Sequence, residues 1–119
     1  EDPLISGKCA AAITRGVQSC SGKGVTIKHF AANSQEDNRY FSNSHISERA
    51  LREIYLKGFQ IAITESDPMA LMTSYNLING THAANHFDLL QSVCRSAAWN
   101  CARICSISCD ILKSPFYYT

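Results

Sequence analysis

Apolar residues recur along the first part of the chain at two different spacings. Between residues 5 and 20 they fall three and four positions apart, which predicts an amphipathic helix. The stripe consists of Ile5, Cys9, Ala12, Ile13, Gly16, Val17 and Cys20. Residues 21–24 are of the loop-forming type, and the apolar run of residues 25–27 predicts the start of a short buried strand over residues 25–30.

A second helix is predicted to begin after Ser47, whose hydroxyl is suited to capping the first turn. Two pairs of opposite charge, Glu48 with Arg52 and Glu53 with Lys57, are spaced four residues apart and should form ion pairs on the helix. The predicted apolar stripe comprises Leu51, Ile54, Tyr55, Gly58, Phe59 and Ala62. The polar stretch that precedes this helix is long for a connection within a domain, which indicates a functional loop.

The alternation of helices and strands continues to the end of the chain. A second strand is predicted over residues 69–74, a third helix from 87 to about 99 and a third strand over 104–109. One side of the third helix should carry Leu89, Leu90, Val93 and Cys94. Alternating helices and strands predict parallel strands with right-handed helical crossovers, the α/β class. A complete (β/α)8 barrel needs about 250 residues, so a chain of 119 residues corresponds to part of one, about three βα units.

Composition and charge exclude several classes of function. Hydrophobic residues make up 45% of the chain and charged residues 18%, which is ordinary for a small globular domain. A net charge of +1 gives no electrostatic basis for binding nucleic acid or an anionic membrane. The first residues lack the basic and apolar regions of a secretory signal, so we expect a cytoplasmic location. Because Glu1 is not an initiator methionine, we interpret it as a cut in a longer polypeptide.

The cysteines do not predict a metal site. Cys101, Cys105 and Cys109 are spaced so that they would share one face of a helix, an arrangement that could hold zinc. Structural zinc sites place their ligands closer together, and no histidine follows the last of the three. We therefore favour small buried side chains as the role of these cysteines, and expect no metal or other cofactor.

Polar and aromatic side chains stand where the first two predicted strands end. Lys28 and His29 close the first strand, and Met72 and Tyr75 follow the same layout on the second. Because the carboxyl ends of parallel strands meet at one edge of a sheet, these four residues should line one site. The N–H donors of lysine and histidine suit a ligand rich in hydroxyl groups.

Other interpretations of these polar residues remain open. Lys28 and His29 could both be structural rather than functional. Lys28 would then extend its ammonium to solvent from the strand end, and His29 would have its hydrogen bonds satisfied within the protein. A Schiff-base role for Lys28 lacks any acid or base partner that the sequence singles out. The charged residues of the following loop, Glu36, Asp37 and Arg39, are better explained as a cluster that braces the loop than as catalytic groups. Asn79 and Gly80 predict a tight turn after the second strand.

Three segments of the sequence resemble those of a known enzyme family: residues 27–39, 47–56 and 72–80. In this order and with natural spacing, they resemble the lysine-histidine segment, the next helix and the following strand and loop of glycoside hydrolase family 3 β-glucosidases. The resemblance runs from residue 1 to about residue 95. It implies that residues 1–102 are part of a TIM-like amino-terminal barrel domain. The parent enzyme would be a retaining exo-β-glycosidase that hydrolyses terminal non-reducing β-D-glucosyl or related residues in carbohydrate metabolism.

The resemblance also implies roles for individual residues. Lys28 and His29 match the pair that binds hydroxyls of the terminal sugar in the −1 subsite, and Met72 and Tyr75 match residues that line the same pocket. The ligand would be a β-linked glucoside or xyloside oligosaccharide, bound without a cofactor. Retaining chemistry uses a carboxylate nucleophile and a separate general acid/base about 5–5.5 Å apart.

The last part of the chain departs from the family. The nucleophile of the family is an aspartate followed by tryptophan, and Asp110 matches neither that context nor its distance from Trp99. No catalytic residue is therefore assigned, and residues 103–119 are interpreted as a divergent tail that suggests a slip of the reading frame or a pseudogene-like end of the gene. We expect the fragment to be inactive by itself and to self-associate through the open edges of its partial barrel.

Two alternative functions follow from the same residues. The first is a non-catalytic sugar-binding or assembly remnant. The second, with less support, is the β-N-acetylhexosaminidase branch of the family, which has a catalytic Asp-Ser-His loop similar to Asn43, Ser44 and His45. Residues 31–33 are Ala-Ala-Asn rather than the Pro-Gly-His of that branch.

Overall fold

Parallel strands beside a layer of helices form the framework of the computed structural model, which describes residues 2–95, Trp99 and residues 104–105. The elements in chain order are α1 (Pro3–Gln18), β1 (Thr26–Phe30), β2 (Asn43–Ser44), α2 (Glu48–Ala50), a π-helical turn (Leu51–Tyr55), α3 (Lys57–Ser66), β3 (Ala70–Thr73), β4 (Leu77–Ile78), β5 (Thr81–His82), a 3₁₀ turn (Ala83–Asn85), a π-helical segment (Asp88–Cys94) and β6 (Ile104–Cys105).

The main sheet has the strand order β1, β3, β6, and both pairings are parallel. This confirms the predicted parallel strands, and β6 provides the first two residues of the predicted third strand. The rest of that prediction, residues 106–109, lies outside the described residues. A smaller sheet joins β2, β4 and β5, and its β4–β5 hairpin turns at Asn79 and Gly80, both with positive φ. The turn predicted at these two residues is confirmed, and it fits the left-handed residues of a two-residue hairpin.

Helix α1 buries a different face from the one that its apolar pattern predicts. Asp2 caps the helix, accepting hydrogen bonds at Oδ1 from the amides of the next turn. Its buried residues are the small ones, Gly7, Ala11 and Thr14. Ile5 and Ile13 of the predicted stripe are 63% and 65% exposed. The prediction of the buried face was therefore wrong.

Close packing of α1 against α3 explains the choice of face. A Cβ atom at Gly7 would lie 2.9 Å from the carbonyl oxygen of Gly58 and 2.9 Å from Cβ of Ile61. At that distance the two helix backbones can meet only through residues without bulky side chains. Lys8 and Arg15 add bonds across the same interface, both to Glu65. Helix packing therefore selects the small residues and leaves the larger apolar ones outside.

The second helical region changes its register at the π-helical turn Leu51–Tyr55. The amide of Leu56 donates to the carbonyl of Leu51, 2.9 Å away and five residues earlier. Because such a turn contains an extra residue, the face that is buried after it is rotated. Leu56 is 1% exposed, whereas Ile54 of the predicted stripe is 52% exposed. Further along α3, Ala62 of the predicted stripe is buried as expected, and Ile61 and Ile63 are buried outside that stripe.

The shifted register also alters the predicted ion pairs. The cap by Ser47 is confirmed, since its Oγ accepts from the amide of Ala50 at 3.3 Å. Arg52 pairs with Glu48, as predicted. The second prediction was wrong, because Glu53 pairs with Arg49 and the ammonium of Lys57 donates to Gln60. Glu53 lies inside the π-helical turn and Lys57 after it, so the two residues no longer share one face.

Phe30 lies at the centre of the core, with no exposed surface. Its ring packs edge-on against Phe59 at 5.0 Å and Trp99 at 6.1 Å between centroids. The predicted inner side of the third helix is confirmed by the burial of Leu89, Leu90, Val93 and Cys94. Within residues 2–95, 99 and 104–105, no helix combines the length and apolarity that crossing a bilayer requires.

Replacing Gly7 with alanine should destabilise the chain, because the new Cβ meets backbone of α3 that cannot rotate away. We expect the free energy of unfolding to fall by about 1–3 kcal/mol. Gly16→Ala is the matched control in the same helix, since no atom of the described residues lies within 4 Å of its added Cβ. This control should gain about 0.5–1 kcal/mol from the better helix propensity of alanine. Urea unfolding followed by circular dichroism measures both, and equal effects would contradict the close packing.

Candidate functional site

A bulge between β1 and β3 occurs at three of the residues predicted to bind a ligand. Ile27 stands opposite Leu71, and Phe30 stands opposite Thr73. Two residues of β1, Lys28 and His29, therefore face the single Met72 of β3. Bulges of this kind redirect side chains near functional sites. Two peptide bonds of this segment, Lys28–His29 and Phe30–Ala31, are cis.

Lys28 and His29 are exposed at the end of β1. Neither side chain forms a hydrogen bond or ion pair with any residue in the described part of the chain. Their donors are therefore free to meet a ligand. Met72 is half-buried beside them, on a strand whose neighbours Leu71 and Thr73 are buried.

Tyr75 belongs to a cluster of aromatic rings and one cation. Its ring lies 4.7 Å from the ring of Tyr40, measured between centroids. The guanidinium of Arg39 lies 5.3 Å from the centre of Tyr75 and 5.4 Å from that of Tyr40. Such distances are within the range of cation–π attraction. The ring of His82 approaches the backbone carbonyl of Tyr75 through Nδ1 at 3.0 Å. The loop after β1 and the loop after β3 are thus joined at Tyr75.

Glu36 completes this cluster on the side of the loop. Its carboxylate accepts from Arg39 at 2.9 Å and from the amide of Asn33 at 2.9 Å. The hydrogen bond from Arg39, followed by that from Asn33, holds the pKa of Glu36 below its ordinary value, and the charge of His29 acts in the same direction. This geometry agrees with the interpretation of Glu36 and Arg39 as a pair that braces the loop.

Sequence reasoning missed Tyr40, which no pattern argument singled out. A signal was present, because an aromatic residue directly follows Arg39 in the loop after the lysine-histidine pair. Its partner, Tyr75, is 35 positions away, however, and only the fold shows that the two rings meet. His45, considered above for its resemblance to the loop of the β-N-acetylhexosaminidase branch, is exposed. Its Nε2 lies 3.2 Å from the side-chain amide nitrogen of Asn43.

A cavity of about 570 Å³ opens between α1, β1 and the helical region over residues 48–66. Among the four predicted site residues, Lys28 alone lines it. The cavity is therefore distinct from the place where His29, Met72 and Tyr75 lie. Its walls are formed by Pro3, Ser6, Ala10, Ile27, Lys28, Ser34, Ile54, Tyr55, Gly58, Phe59 and Ala62.

The described residues contain no group of three or more histidine, cysteine or acidic side chains that could hold a metal ion. The cysteines considered for zinc, Cys101, Cys105 and Cys109, have side chains outside the described residues. Asp110 and the other residues of the divergent tail, except the backbone of residues 104–105, also lie outside them.

Comparison with known proteins identifies the family. The family model of the glycosyl hydrolase family 3 N-terminal domain matches residues 1–100. The chain belongs to glycosyl hydrolase family 3. This confirms the resemblance found in the sequence, and the match ends before the divergent tail begins.

Curated relatives agree with this chain in sequence. Beta-glucosidase B of Emericella nidulans is 57% identical over 95 residues, which are 80% of this chain and 11% of that protein. An exo-alpha-(1->6)-L-arabinopyranosidase of Bifidobacterium breve is 47% identical over 95 residues, which are 80% of this chain and 12% of that protein.

Solved structures of the family confirm the predicted fold class, a partial (β/α)8 TIM-like barrel with parallel strands. The structure of beta-glucosidase 3B from Thermotoga neapolitana in complex with glucose superposes with a TM-score of 0.85 and 46% identity. The match covers 89% of this chain and 15% of that one. The chain thus spans about a tenth of the length of the curated relatives it matches.

Arg39→Met should raise the pKa of Glu36 toward its ordinary value, because the variant removes the largest cause of its lowering. In the unaltered chain the ion pair contributes stability above that ordinary pKa. The contribution disappears as the pH falls through the lowered folded pKa. The stability difference between the two chains should therefore shrink on acidification.

Titration of the Glu36 side chain by NMR measures the pKa directly. Arg52→Met is the control, because it removes the partner of Glu48 on a different element. A Glu36 pKa that moves equally in both variants, or in neither, would contradict the role of Arg39.

Proposed function

We propose that this chain supplies the sugar-binding part of a retaining exo-β-glycosidase of the β-glucosidase type. In this proposal Lys28, His29, Met72 and Tyr75 contact the terminal, non-reducing sugar of a β-linked glucoside or a related oligosaccharide. No cofactor takes part. The proposal rests on family membership and on the arrangement of these side chains.

The observation that supports it most is the bulge of β1. It presents Lys28 and His29, both exposed and without side-chain partners among the described residues, opposite Met72. A lysine offers three N–H donors and a histidine one or two, which suits the hydroxyl groups of a sugar. The face of Tyr75 and the thioether of Met72 would supply the apolar contacts that a sugar ring also needs.

The relatives limit how narrowly the substrate can be proposed. Proteins named as beta-glucosidases and others named as arabinopyranosidases match the same length of chain at similar identity. We therefore propose a terminal sugar of the glucose or xylose type as the ligand, with the linkage selected by parts of the enzyme beyond these residues.

Hydrogen bonds to ring hydroxyls have a catalytic use only where a nucleophile and an acid/base are present. In retaining glycosidases such bonds strengthen in the transition state and contribute several kcal/mol. No residue of this chain matches the family nucleophile. The three parallel strands of the described sheet are also fewer than the eight of a closed barrel. We propose that these residues by themselves bind sugar without hydrolysing it.

The purified chain should show no turnover of a chromogenic β-glucoside above the rate in buffer. Incubation at substrate concentrations up to the millimolar range, followed by absorbance, measures this. Robust turnover that disappears in an Asp110→Ala variant would overturn the proposed inactivity and give the tail a catalytic role.

The chain should bind glucose weakly, and Lys28→Ala should weaken the binding by about tenfold or more, because a hydrogen bond from a charged donor is lost. Lys23→Ala is the matched control, since Lys23 is exposed in the turn before β1. Isothermal calorimetry on the three chains measures the affinities. A chain that folds but binds no sugar would leave an assembly remnant as the better explanation.

A further inference from the structure

Three successive carbonyl groups directly after His29 are held by residues that follow β3 or lie in β2. The carbonyl of Phe30 accepts a hydrogen bond from the amide of Ser74 at 2.7 Å. The carbonyl of Ala31 accepts from Oγ of Ser74 at 2.9 Å and lies 3.3 Å from Nδ2 of Asn76. The carbonyl of Ala32 lies 3.3 Å from the same nitrogen and accepts from Oγ of Ser44 at 2.9 Å. We call this group of bonds the carbonyl clamp.

The carbonyl clamp is buried. Ser74 is 1% exposed, and Asn76 and Ala31 have no exposed surface. Water cannot replace a hydrogen bond that is lost there, and a buried polar group without its partner is costly. The segment 30–32 therefore has little freedom to adopt another path while the clamp is intact.

Asn76 acts in the clamp through its nitrogen. Nδ2 lies 3.2–3.3 Å from three carbonyl oxygens, whereas Oδ1 of the same side chain is buried and finds no partner in the part of the chain that the structure describes. An aliphatic residue of similar size would fill the space without leaving that oxygen unpaired. Donation to the carbonyls is thus the contribution of Asn76 that such a residue could not make. Ala32, which receives one of these bonds, has a φ of 59°, in the left-handed region that alanine rarely adopts.

The position of the clamp links it to the candidate site. Tyr75 lies between Ser74 and Asn76 in the sequence, while Lys28 and His29 immediately precede the clamped carbonyls. The same bonds therefore fix the backbone on both sides of Tyr75, just after β3, relative to the end of β1.

We propose that Ser74 and Asn76 are positioning residues that set the placement of Lys28 and His29 relative to Tyr75. They touch no ligand themselves and act through the carbonyl groups of residues 30–32. The consequence for sugar binding rests on the function proposed above, whereas the placement of Lys28 and His29 can be measured without any sugar.

Two variants and one control test the proposal. Ser74→Ala removes one donor, and Asn76→Leu removes the other at similar volume. Thr73→Val is the control, because Thr73 is 4% exposed at the end of β3, directly before Ser74, and its Oγ1 has no hydrogen-bond partner among the described residues. The first measurement, on the chain without sugar, is the NMR resonances of the Lys28 and His29 amides, the His29 imidazole and the Tyr75 ring. The second is the affinity for glucose.

The proposal expects Ser74→Ala and Asn76→Leu to shift the resonances of Lys28, His29 and Tyr75 while those of α1 and α3 keep their positions. Thr73→Val should shift them much less. Glucose affinity should fall about threefold to tenfold in the two variants, the effect of one buried hydrogen bond, and less than about twofold in the control.

The proposal would be overturned if the resonances of Lys28 and His29 did not shift in Ser74→Ala and Asn76→Leu. It would also be overturned if their shifts in these two variants were no larger than in Thr73→Val. Loss of the whole fold in both variants would also overturn it, because the two residues would then support the fold rather than the local segment. A wild-type chain with no glucose binding would instead contradict the proposed function, and the sugar-free resonances would still decide the positioning role.

Discussion

The parallel pairing of β1 with β3 is the constraint on which the candidate site depends. At the start of the pair, Thr26 stands opposite Ala70 in regular register, and at its end Phe30 stands opposite Thr73. The extra residue between these points is accommodated at Lys28 and His29. A regular strand would send alternate side chains to opposite faces of the sheet. The bulge instead delivers two adjacent polar residues to the end of the strand, and the buried carbonyls after them are captured by the partner strand's continuation.

The helical layer keeps that pairing in place from the other end of the strands. Gln18, the last residue of α1, accepts at Oε1 from the amides of Val25 at 3.3 Å and Met69 at 2.9 Å. One side chain thus binds the residues just before both β1 and β3. Gly7 allows α1 to approach α3 closely enough for Gln18 to reach the end of α3 as well, where its Nε2 donates to the carbonyl of Asp67 at 3.0 Å. The strand starts are aligned by the helices, and the strand ends by the carbonyl clamp.

Features that depend on local sequence could be predicted, and those that depend on distant partners could not. The cap at Ser47 and the turn at Asn79 follow from side chains acting within a few residues. A strand does form within residues 25–30, but only Phe30 of β1 is buried, so the prediction of a buried strand was wrong. The buried face of α1 could not be found this way, because hydrophobicity says nothing about how closely another helix will approach. The π-helical turn lacks a sequence signal that the pattern could use. For the site, strand ends identified Lys28 and His29, while the bonds from Asn76 to carbonyls 44 and 45 positions away require the fold.

Under the proposed function, the residues of this chain bind a sugar without carrying out the bond cleavage. In a complete retaining enzyme, a contact to a sugar hydroxyl has two effects, one on the ground state and a larger one on the transition state. Since no residue of the sequence matches the family nucleophile, we propose that any affinity of Lys28 or His29 for sugar measures the effect on the ground state alone. Contacts made in the transition state depend most on a rigid backbone, because they demand accurate placement. The buried carbonyl clamp restrains the backbone directly after Lys28 and His29, which is the kind of support that accurate placement of these two side chains needs.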